Sequence, residues 1–313
     1  MSRITLLGAS GAMGKSIADA LRNAGEPYRV VARSRSALQA AFASDPQAEI
    51  VTWDPDNPES VRAALRGTGT LIYLVGVAYD QFRLHPPLMK ATLEAAKLEG
   101  VERLLLISTV YPYGVPQTMP VKETHPRDTQ TFKGRMRKDQ QDLVMAAGAR
   151  GDLQYAILVL PDFYGPGMDK SFLSGLFTAA VKGGVATMLG PIDKPHEFVF
   201  VPDVGPVVVA MLRNPGAWGR LWNLAGPGVT TQRAIADMAY KITGRKRRLL
   251  VAGKTMLRMI GIFDPIMREL VEMNYLLTNP VILDDSDLRG LLGPIAKTSY
   301  EDGVRACIKS LSK

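Results

Sequence analysis

Three glycines near the start of the sequence have the spacing of a loop that binds phosphate. The segment GASGAMG places Gly8, Gly11 and Gly14 directly after an apolar run, residues 2–7, and before a helical pattern that ends at Gly25. Glycines here permit a tight turn, contact of a pyrophosphate with the backbone, and close packing of helix on strand, while the helix N-terminus supplies N–H donors. Because the loop lies between a strand and a helix, the pattern favours a dinucleotide site over a purely structural turn.

The next apolar run ends in VVARSRSAL, which bears on the form of the dinucleotide. An NAD site usually offers an acidic residue at this point to bind the ribose 2′-hydroxyl. Arg33, Ser34 and Arg35 instead offer cations and a hydroxyl suited to a 2′-phosphate. The sequence therefore predicts NADP(H) in preference to NAD(H), with a solvated arginine turn as the alternative.

The hydrophobic pattern indicates the scaffold that positions these residues. Apolar, β-branched runs alternate with helical patterns up to about residue 160. The strand runs are SRITLL, YRVVA, AEIVTW, TLIYLV, RLLLIS and QYAILVL, and the helical patterns cover 58–66, 85–99 and 131–147. Such alternation requires right-handed βαβ crossovers, so residues 1–160 are predicted to form a Rossmann-type α/β domain with a doubly wound parallel sheet.

Beyond Pro161 the alternation loosens, and turn segments such as YGPGMD and LGPIDKP separate shorter elements. Residues 161–313 are therefore expected to form mainly a smaller, mixed substrate-binding region. The apolar segment at about 197–213 is expected to return to the sheet domain. Residues 254–277 carry Met and Leu at helical spacing, for which core packing is favoured over lining an apolar pocket.

Composition excludes several classes of protein. The 313 residues are 46% hydrophobic and 22% charged, which suits a soluble globular protein with a large core. No apolar run approaches the roughly 18 residues of a membrane span, and no signal-peptide pattern opens the sequence, so a cytoplasmic protein without a membrane partner is expected.

The net charge of +8 would suit an anionic partner, but the cations are scattered. Their densest run, 245–248, lies between a helical and a strand pattern and is typical of a solvated turn, so no nucleic-acid partner is predicted. Cys307 is the single cysteine, and only three histidines occur, without metal-ligand spacing. A disulfide framework and a metal site are therefore not expected.

Taken together, several segments resemble the extended and atypical short-chain dehydrogenase/reductases, which include NAD-dependent epimerase/dehydratase-like and NmrA-like proteins. The segments are the GxxGxxG loop, TWDPDNPESVRAAL, LISTVYPYG, LPDFYGPG and FVFVPDVGPVVVAML. The resemblance implies that Asp54 binds adenine and that Val75 and Gly76 flank the nicotinamide ribose. Ser10, Ala12 and Met13 of the glycine loop, together with Pro161, complete the expected cofactor-binding set.

The same resemblance addresses a cation-rich segment, TFKGRMRKDQQDLV at 131–144. The catalytic helix of the family carries YxxxK, often with an acidic residue four positions later, and Lys138 and Asp142 match the last two positions. Lys138 is therefore expected to hydrogen-bond the nicotinamide ribose, with a surface lysine as the alternative. Gly134 stands where the tyrosine should be. That phenol is the family's general acid, and glycine has no proton to donate.

Substitute groups come from neighbouring positions. Thr109 matches the family's active-site serine or threonine, and Tyr111 matches the glutamate of related sugar dehydratases. Tyr111 is a candidate proton donor, or else an aromatic wall of the pocket. His85 is a candidate proton relay near neutral pH, or else a helix-cap or packed histidine. His196 stands where nucleotide-sugar enzymes usually keep an arginine for phosphates, which argues against a nucleotide-sugar substrate.

Two functions fit these observations. The first is an NADPH-dependent reductase of a carbonyl, enone or imine in a small, weakly polar molecule, with Lys138, Thr109, Tyr111 and His85 as the catalytic candidates. The second is a cofactor-binding redox sensor or assembly factor of NmrA-like type without turnover. The sequence leaves the substrate, the reaction direction and the oligomeric state open.

Overall fold

The computed structural model describes residues 3–168, 171–253 and 271–312, and a parallel β-sheet lies at its centre. In chain order the strands are β1 (Arg3–Leu7), β2 (Tyr28–Ala32), β3 (Ala48–Thr52), β4 (Thr68–Tyr73), β5 (Arg103–Thr109), β6 (Gln154–Leu160), β7 (Asp162–Tyr164), β8 (Ala186–Leu189), β9 (Phe198–Phe200), β10 (Arg220–Asn223) and β11 (Leu249–Ala252). Seven of them form the central sheet in the order β10-β6-β5-β4-β1-β2-β3, and every pair is parallel. The predicted Rossmann-type doubly wound sheet is confirmed.

Helices cover both faces of this sheet. In chain order they are α1 (Ala12–Asn23), α2 (Arg35–Phe42), α3 (Pro58–Leu65), α4 (His85–Leu98), α5 (Phe132–Ala149), α6 (Ser174–Lys182), α7 (Val201–Arg213) and α8 (Gln232–Thr243), followed by Tyr275–Thr278, Ser286–Leu292 and Tyr300–Leu311. One core contains Val61, Met89 and Val144 of α3, α4 and α5. The opposite core contains Ile17 and Val204 of α1 and α7. None of the helices in the described ranges is both long and apolar enough to span a bilayer.

The strand sequences explain why the sheet is buried on both sides. All positions of β2 and β4 are buried, as expected for near-continuous apolar strands with helices on both faces. The strand order reverses at the neighbours β1 and β4, since β2 and β3 lie beyond β1 while β5 and β6 lie beyond β4. A crevice opens at the carboxyl ends of parallel strands where the order reverses, so this edge is where a ligand is expected.

Helix α7 packs closely against α1 through a glycine. A Cβ atom on Gly205 would lie 2.2 Å from the carbonyl oxygen of Ser16, so the two backbones approach too closely for a side chain. The Ser16 hydroxyl donates to the Val201 carbonyl oxygen at 2.8 Å and accepts from the Gly205 amide at 3.2 Å. The segment at 201–213 therefore covers the helix that follows the glycine loop.

Beyond residue 160 the chain builds a smaller mixed region and also returns to the sheet. Two-stranded parallel ladders pair β7 with β9 and β8 with β11, and a third core contains Phe177, Ile235 and Val304. Strand β10, which extends the central sheet beyond β6, was not predicted because four residues are too short to give a periodic pattern. Residues 254–270, most of the predicted Met-rich helix, lie outside the described residues.

A buried carboxyl group joins three segments of this region. Glu197 is 3% exposed; its Oε1 accepts from the Gly226 amide and its Oε2 from the Leu283 amide, both at 3.0 Å. Burial outweighs these two donors and raises the pKa of Glu197 to about 7. Because the pKa in the folded protein lies above the unfolded value, the group favours folding at low pH and loses that contribution as the pH rises.

Glu197→Gln is expected to remove one pH-dependent contribution to stability. For the wild type, the contribution is full below about pH 4.5 and is lost by about pH 7. A pKa difference of this size corresponds to about 3 kcal/mol. Urea unfolding of both proteins across that range measures the effect: the free energy of unfolding of the wild type should fall relative to the variant. A difference that stays constant with pH would contradict the raised pKa.

Candidate active site

The glycine loop leaves one open position. Gly8 has φ +93°, and a Cβ there would lie 2.8 Å from the backbone of Leu74 and Val75. A Cβ on Gly14 would lie 2.1 Å from the Ala9 carbonyl oxygen, whereas a Cβ on Gly11 would meet no atom within 4 Å. Gly8 and Gly14 therefore serve the packing of the loop, and Gly11 faces free space.

The free space lies at the N-terminus of α1. Gly11 is the N-cap of this helix and provides no side-chain cap, so N–H groups of the first turn are available to an anion. Ser10 is exposed, and Ala12 and Met13 are partly exposed beside it. The geometry suits a pyrophosphate seated against the backbone.

The residues predicted to select the cofactor lie at the ends of β2 and β3. Arg33 and Arg35 are exposed, and within the described part of the chain neither guanidinium forms an ion pair. The Ser34 hydroxyl caps α2 by accepting from the Ala37 amide at 3.2 Å. Asp54 follows β3 and is exposed. The carboxyl ends of β2 and β3 therefore present two arginines without a described ion-pair partner and one carboxylate.

The carboxyl edge of the sheet collects most of the other predicted residues. Val75 and Gly76 follow β4 beside Gly8, Thr109 ends β5, and Pro161 follows β6 directly. The Thr109 Oγ1 atom is buried, and none of the residues described here hydrogen-bonds it. A buried hydroxyl without a partner at this edge is suited to a ligand oxygen.

Tyr111 belongs to a cluster of aromatic side chains. Its hydroxyl lies 3.4 Å from the Tyr79 hydroxyl, and its ring stacks on Phe82 with 6.3 Å between centroids. Burial raises the pKa of Tyr111 well above its usual range, with further contributions from Tyr79 and Asp162. The raised pKa makes this phenol a weaker acid than a solvated tyrosine, so donation of its proton would require a bound ligand to change its surroundings.

Asp162 and His196 form a carboxylate–imidazole pair where β7 begins. His196 Nε2 lies 2.8 Å from Asp162 Oδ2, and both side chains are largely buried. Asp162 begins β7, which pairs with β9 directly after His196 and Glu197. The Asp162 charge also raises the pKa of Tyr79, Tyr111 and Tyr275. Asp162 is thus within electrostatic range of three phenols, two of which, Tyr79 and Tyr111, have their hydroxyls 3.4 Å apart.

Sequence reasoning had assigned no role to three members of this cluster, Tyr79, Asp162 and Tyr275. Asp162 stood in the quoted segment LPDFYGPG, where a carboxylate directly after a buried strand was the available signal. Tyr275 comes from a distant part of the chain, and no local pattern links it to the sheet edge.

His85 is a packed histidine rather than a relay near neutral pH. It begins α4, is 3% exposed, and contacts the Phe82 ring edge-on at 5.0 Å between centroids. Burial, together with the charge of Arg137, lowers the pKa of His85 to about 2. The ring is therefore neutral at pH 7, and the packed alternative fits the structure.

The cations on the buried face of helix α5 are not the expected Lys138. The Lys138 ammonium lies 2.6 Å from Asp142 Oδ2 on a partly exposed face. Lys133 and Arg137 point inward instead, and Lys133 Nζ lies 2.8 Å from Glu272 Oε2. The ribose-binding role of Lys138 stays a prediction, since its described ion-pair partner is Asp142.

At Gly134, where the resemblance expects the family's tyrosine, neighbouring side chains crowd the space of a Cβ atom. A Cβ on Gly134 would lie 1.9 Å from Thr129 Oγ1 and 2.7 Å from Thr131 Oγ1. Thr131 also caps α5 by accepting from the Gly134 amide at 3.1 Å. Any larger residue at this position would have to displace the side chains of Thr129 and Thr131.

His125 and Cys307 are packed into the fold. His125 Nε2 accepts from the Gln117 amide at 2.9 Å, and its ring packs edge-on against Tyr113. Burial raises the pKa of Cys307 to about 12, so the thiol is a packed, unreactive group. Within the described ranges, no group of three or more His, Cys, Asp or Glu side chains is arranged to hold a metal ion.

Comparison with family models gives a match that covers most of the chain. A family model described as the NAD dependent epimerase/dehydratase family matches residues 4–225. A search of curated proteins gives no significant match.

Several solved structures share the fold. An epimerase from Methanothermobacter thermautotrophicus has a TM-score of 0.85 at 15% identity, with 99% of this chain and 92% of that chain covered. The UDP-glucuronic acid 4-epimerase of Bacillus cereus, in complex with NAD, gives 0.80 at 18% identity and coverages of 99% and 100%. A dTDP-glucose 4,6-dehydratase of Streptomyces venezuelae, with NAD bound, gives 0.81 at 17% identity and coverages of 98% and 96%. At these identities the likeness establishes the fold.

Proposed function

The chain belongs to the NAD dependent epimerase/dehydratase family, and we propose that it is an NADP(H)-dependent oxidoreductase acting on a small, weakly polar molecule. The observation that carries the proposal is the open position at Gly11, at the uncapped N-terminus of α1. The first helix offers its N–H groups there, and the carboxyl edge of the sheet holds the buried Thr109 hydroxyl, which none of the described residues hydrogen-bonds. These features fit a dinucleotide with its nicotinamide directed towards Thr109.

The cofactor supplies or accepts a hydride when bound, and the chain positions the substrate and moves the proton. Thr109 Oγ1, free of protein partners in the described residues, is suited to orient a substrate oxygen. Tyr111, whose hydroxyl lies 3.4 Å from the Tyr79 hydroxyl, is our candidate donor of the proton. The resemblance assigns the nicotinamide ribose to Lys138.

The substrate class follows from charge. Related structures are of enzymes whose names include UDP-sugars and dTDP-sugars, which are diphosphates. Here the Asp162 carboxylate lies at the start of β7, directly after Pro161, and a carboxylate disfavours a diphosphate nearby. His196, the expected counterpart of a phosphate-binding arginine, is hydrogen-bonded to that carboxylate. A carbonyl, enone or imine in a molecule with little charge fits these surroundings better.

The direct test is oxidation of NADPH by the purified protein with a panel of uncharged ketones, enones and cyclic imines, and with UDP-glucose and dTDP-glucose as the contrast. Turnover with an uncharged compound and none with the nucleotide sugars would support the proposal. Turnover confined to nucleotide sugars would contradict the proposed substrate class.

The double variant Arg33→Ala, Arg35→Ala is expected to weaken NADPH binding by about tenfold or more, because charge-assisted contacts to the 2′-phosphate are removed. Both residues are exposed and lie outside any described ion pair, so the fold should be unaffected. A fluorescence titration with NADPH measures the change, and NADH, which lacks that phosphate, is the control ligand. Equal losses for both ligands, or no loss, would contradict NADP(H) preference.

A second candidate function is cofactor binding without turnover, as in a redox sensor or assembly factor. The observation in its favour is Gly134, since Thr129 and Thr131 fill the space of the family's tyrosine. The two functions differ in the fate of bound NADPH. A sensor keeps it reduced in the presence of the whole panel, whereas a reductase oxidises it with at least one compound.

A further inference from the structure

A cavity of about 230 Å³ lies at the amino ends of the strands, opposite the edge where we place the cofactor. Ile4, Thr70 and Arg103 line its sheet side, and they are register partners on β1, β4 and β5. Register partners of a parallel sheet point to the same face, which here is the face covered by α1 and α7. The last turns of these two helices contribute Leu21 and Leu212 to the wall. The cavity is therefore separate from the glycine loop and from Thr109.

Three buried polar atoms beside this cavity form no hydrogen bond with the residues that the structure describes. They are Thr70 Oγ1, Arg103 Nε and Trp218 Nε1. The Arg103 guanidinium lies over the Trp218 ring, 5.3 Å from its centroid, and Thr70 is the strand neighbour of Arg103, so the three atoms form one cluster. Buried polar groups nearly always have a partner, and such a cluster therefore indicates a bound ligand or ordered water.

The charge of Arg103 has no counter-ion in the described chain. Its one hydrogen bond to a described residue runs from Nη1 to the Leu212 carbonyl oxygen, at the long distance of 3.5 Å. The other two charged residues of the cavity, Arg213 and Glu26, are paired with each other at 3.0 Å. Arg213 also donates to the Ala24 carbonyl oxygen at 3.3 Å. The charge left for a ligand to match is therefore the single positive charge of Arg103.

These donors and this charge identify the polar end of the ligand. The Nε atoms of arginine and tryptophan can only donate, while the threonine hydroxyl can donate or accept, so the ligand must bring acceptor oxygens. A carboxylate brings two oxygens and one negative charge, and its plane matches the guanidinium. A phosphate monoester would bring a charge in excess of that of Arg103, close to the Glu26 carboxylate.

We propose that this cavity is a second ligand site, which binds a small monocarboxylate with an apolar body. The rest of its lining is apolar and consists of Ile4, Leu21, Val209 and Leu212. Its volume of about 230 Å³ lies below the roughly 300–1,000 Å³ of pockets for drug-sized molecules, so the ligand is small. The site shares no residue with the proposed cofactor site, and the inference does not depend on the proposed function.

The test uses three probes, hexanoate, hexan-1-ol and hexylammonium, which share an apolar chain and differ in the charge of the head. The readout is the indole N–H resonance of Trp218 in NMR titrations, identified by its loss in Trp218→Phe, because this group lies beside Arg103. Hexanoate should shift the resonance saturably in the low millimolar range. Hexan-1-ol should bind about tenfold more weakly or worse, because it lacks the charge-assisted contact, and hexylammonium should give no response.

Arg103→Met should weaken hexanoate binding by about tenfold or more, because it removes the charge and the donors while keeping much of the side-chain volume. Arg220→Met is the matched control: Arg220 also lies over a tryptophan ring, 4.2 Å from the centroid of Trp222, but does not line the cavity. It should leave the affinity unchanged. If Arg103→Met does not fold, Leu212→Phe decides, since it narrows the cavity without changing its charge and should abolish binding.

Four results would overturn the inference. Equal affinity for hexanoate and hexan-1-ol would mean an apolar cavity that does not select a carboxylate, and no saturable response to any probe would mean that the cavity holds water only. Unchanged hexanoate binding in Arg103→Met would remove the cation from the site. Competition between hexanoate and NADPH would place hexanoate at the carboxyl edge of the sheet instead. Cofactor binding is measured separately in the NADPH titration, so the failure of one proposal leaves the other standing.

Discussion

Gly11→Val is expected to lower affinity for the nicotinamide cofactor by about a hundredfold or more, while leaving the melting temperature nearly unchanged. A Cβ on Gly11 would meet no atom of the described residues within 4 Å, and the backbone there is extended, with φ −87° and ψ 175°, which valine adopts readily. The added side chain would therefore occupy the volume where the pyrophosphate meets the first helix. Losing several charge-assisted hydrogen bonds accounts for an effect of this size.

Gly14→Ala is the matched control, because it adds one methyl group to the same loop at a closed position. The new Cβ would lie 2.1 Å from the Ala9 carbonyl oxygen, so the variant should lose stability as well as binding. Titration of NADPH together with thermal unfolding separates the two effects. Unchanged cofactor affinity in Gly11→Val would mean that the phosphate does not lie at this loop.

Gly134→Tyr, which creates the YxxxK spacing with Lys138, is expected to destabilise the protein rather than to create activity. The Cβ alone would lie 1.9 Å from Thr129 Oγ1, and displacing Thr131 would also remove the cap of α5. Overpacking together with loss of a cap should lower the free energy of unfolding by about 3 kcal/mol or more. For a chain of this length the melting temperature should fall by about 5 °C or more.

Gly175→Tyr is the control for this variant. Gly175 is also a helical glycine, but it is exposed and a Cβ there would meet no atom within 4 Å. The same substitution should therefore cost little, and thermal unfolding of both variants makes the comparison. A stable Gly134→Tyr protein with new NADPH-oxidising activity would show that the start of α5 can rearrange to accept the motif.

The sheet and the glycine loop could be predicted because both are encoded locally. Strands buried on both faces are continuous apolar runs, as in β4 and β6, and they remain visible without knowledge of the partners. The loop is visible because its three glycines meet three separate demands within seven residues. The structure distinguishes them further, since Gly8 and Gly14 meet backbone atoms and Gly11 meets none.

The inward face of α5 could not be predicted with the same certainty. The apolar residues of this helix form only a weak pattern in the sequence. Its buried face includes polar and charged residues, among them Lys133, Arg137 and Gln141. Consecutive positions of a helix point about 100° apart, so Lys138 lies on a partly exposed face although Arg137 next to it is buried. The resemblance selects Lys138, whereas the cations of α5 that the structure buries are Lys133 and Arg137.

The Asp162–His196 pair could not be predicted from the sequence for a different reason. The two residues are 34 positions apart and meet because β7 and β9, each of three residues, lie side by side. Strands this short carry no periodic signal, so the contact depends on tertiary packing that the local sequence does not specify. The chemistry of the pair was visible in each residue type, but its location was not.

The placement of β10 affects how the protein is made. Strand β6 has a free edge until β10 pairs with it, and residues 161–219 must be synthesised first. At typical ribosomal rates of roughly 5–20 residues per second, this apolar strand waits about 3–12 seconds without its neighbour. An unpaired, valine- and leucine-rich edge is a template for association with other chains. Crowding of nascent chains and slow translation across residues 161–219 should therefore decrease the yield of folded protein, even though the finished sheet has no such weakness at β6.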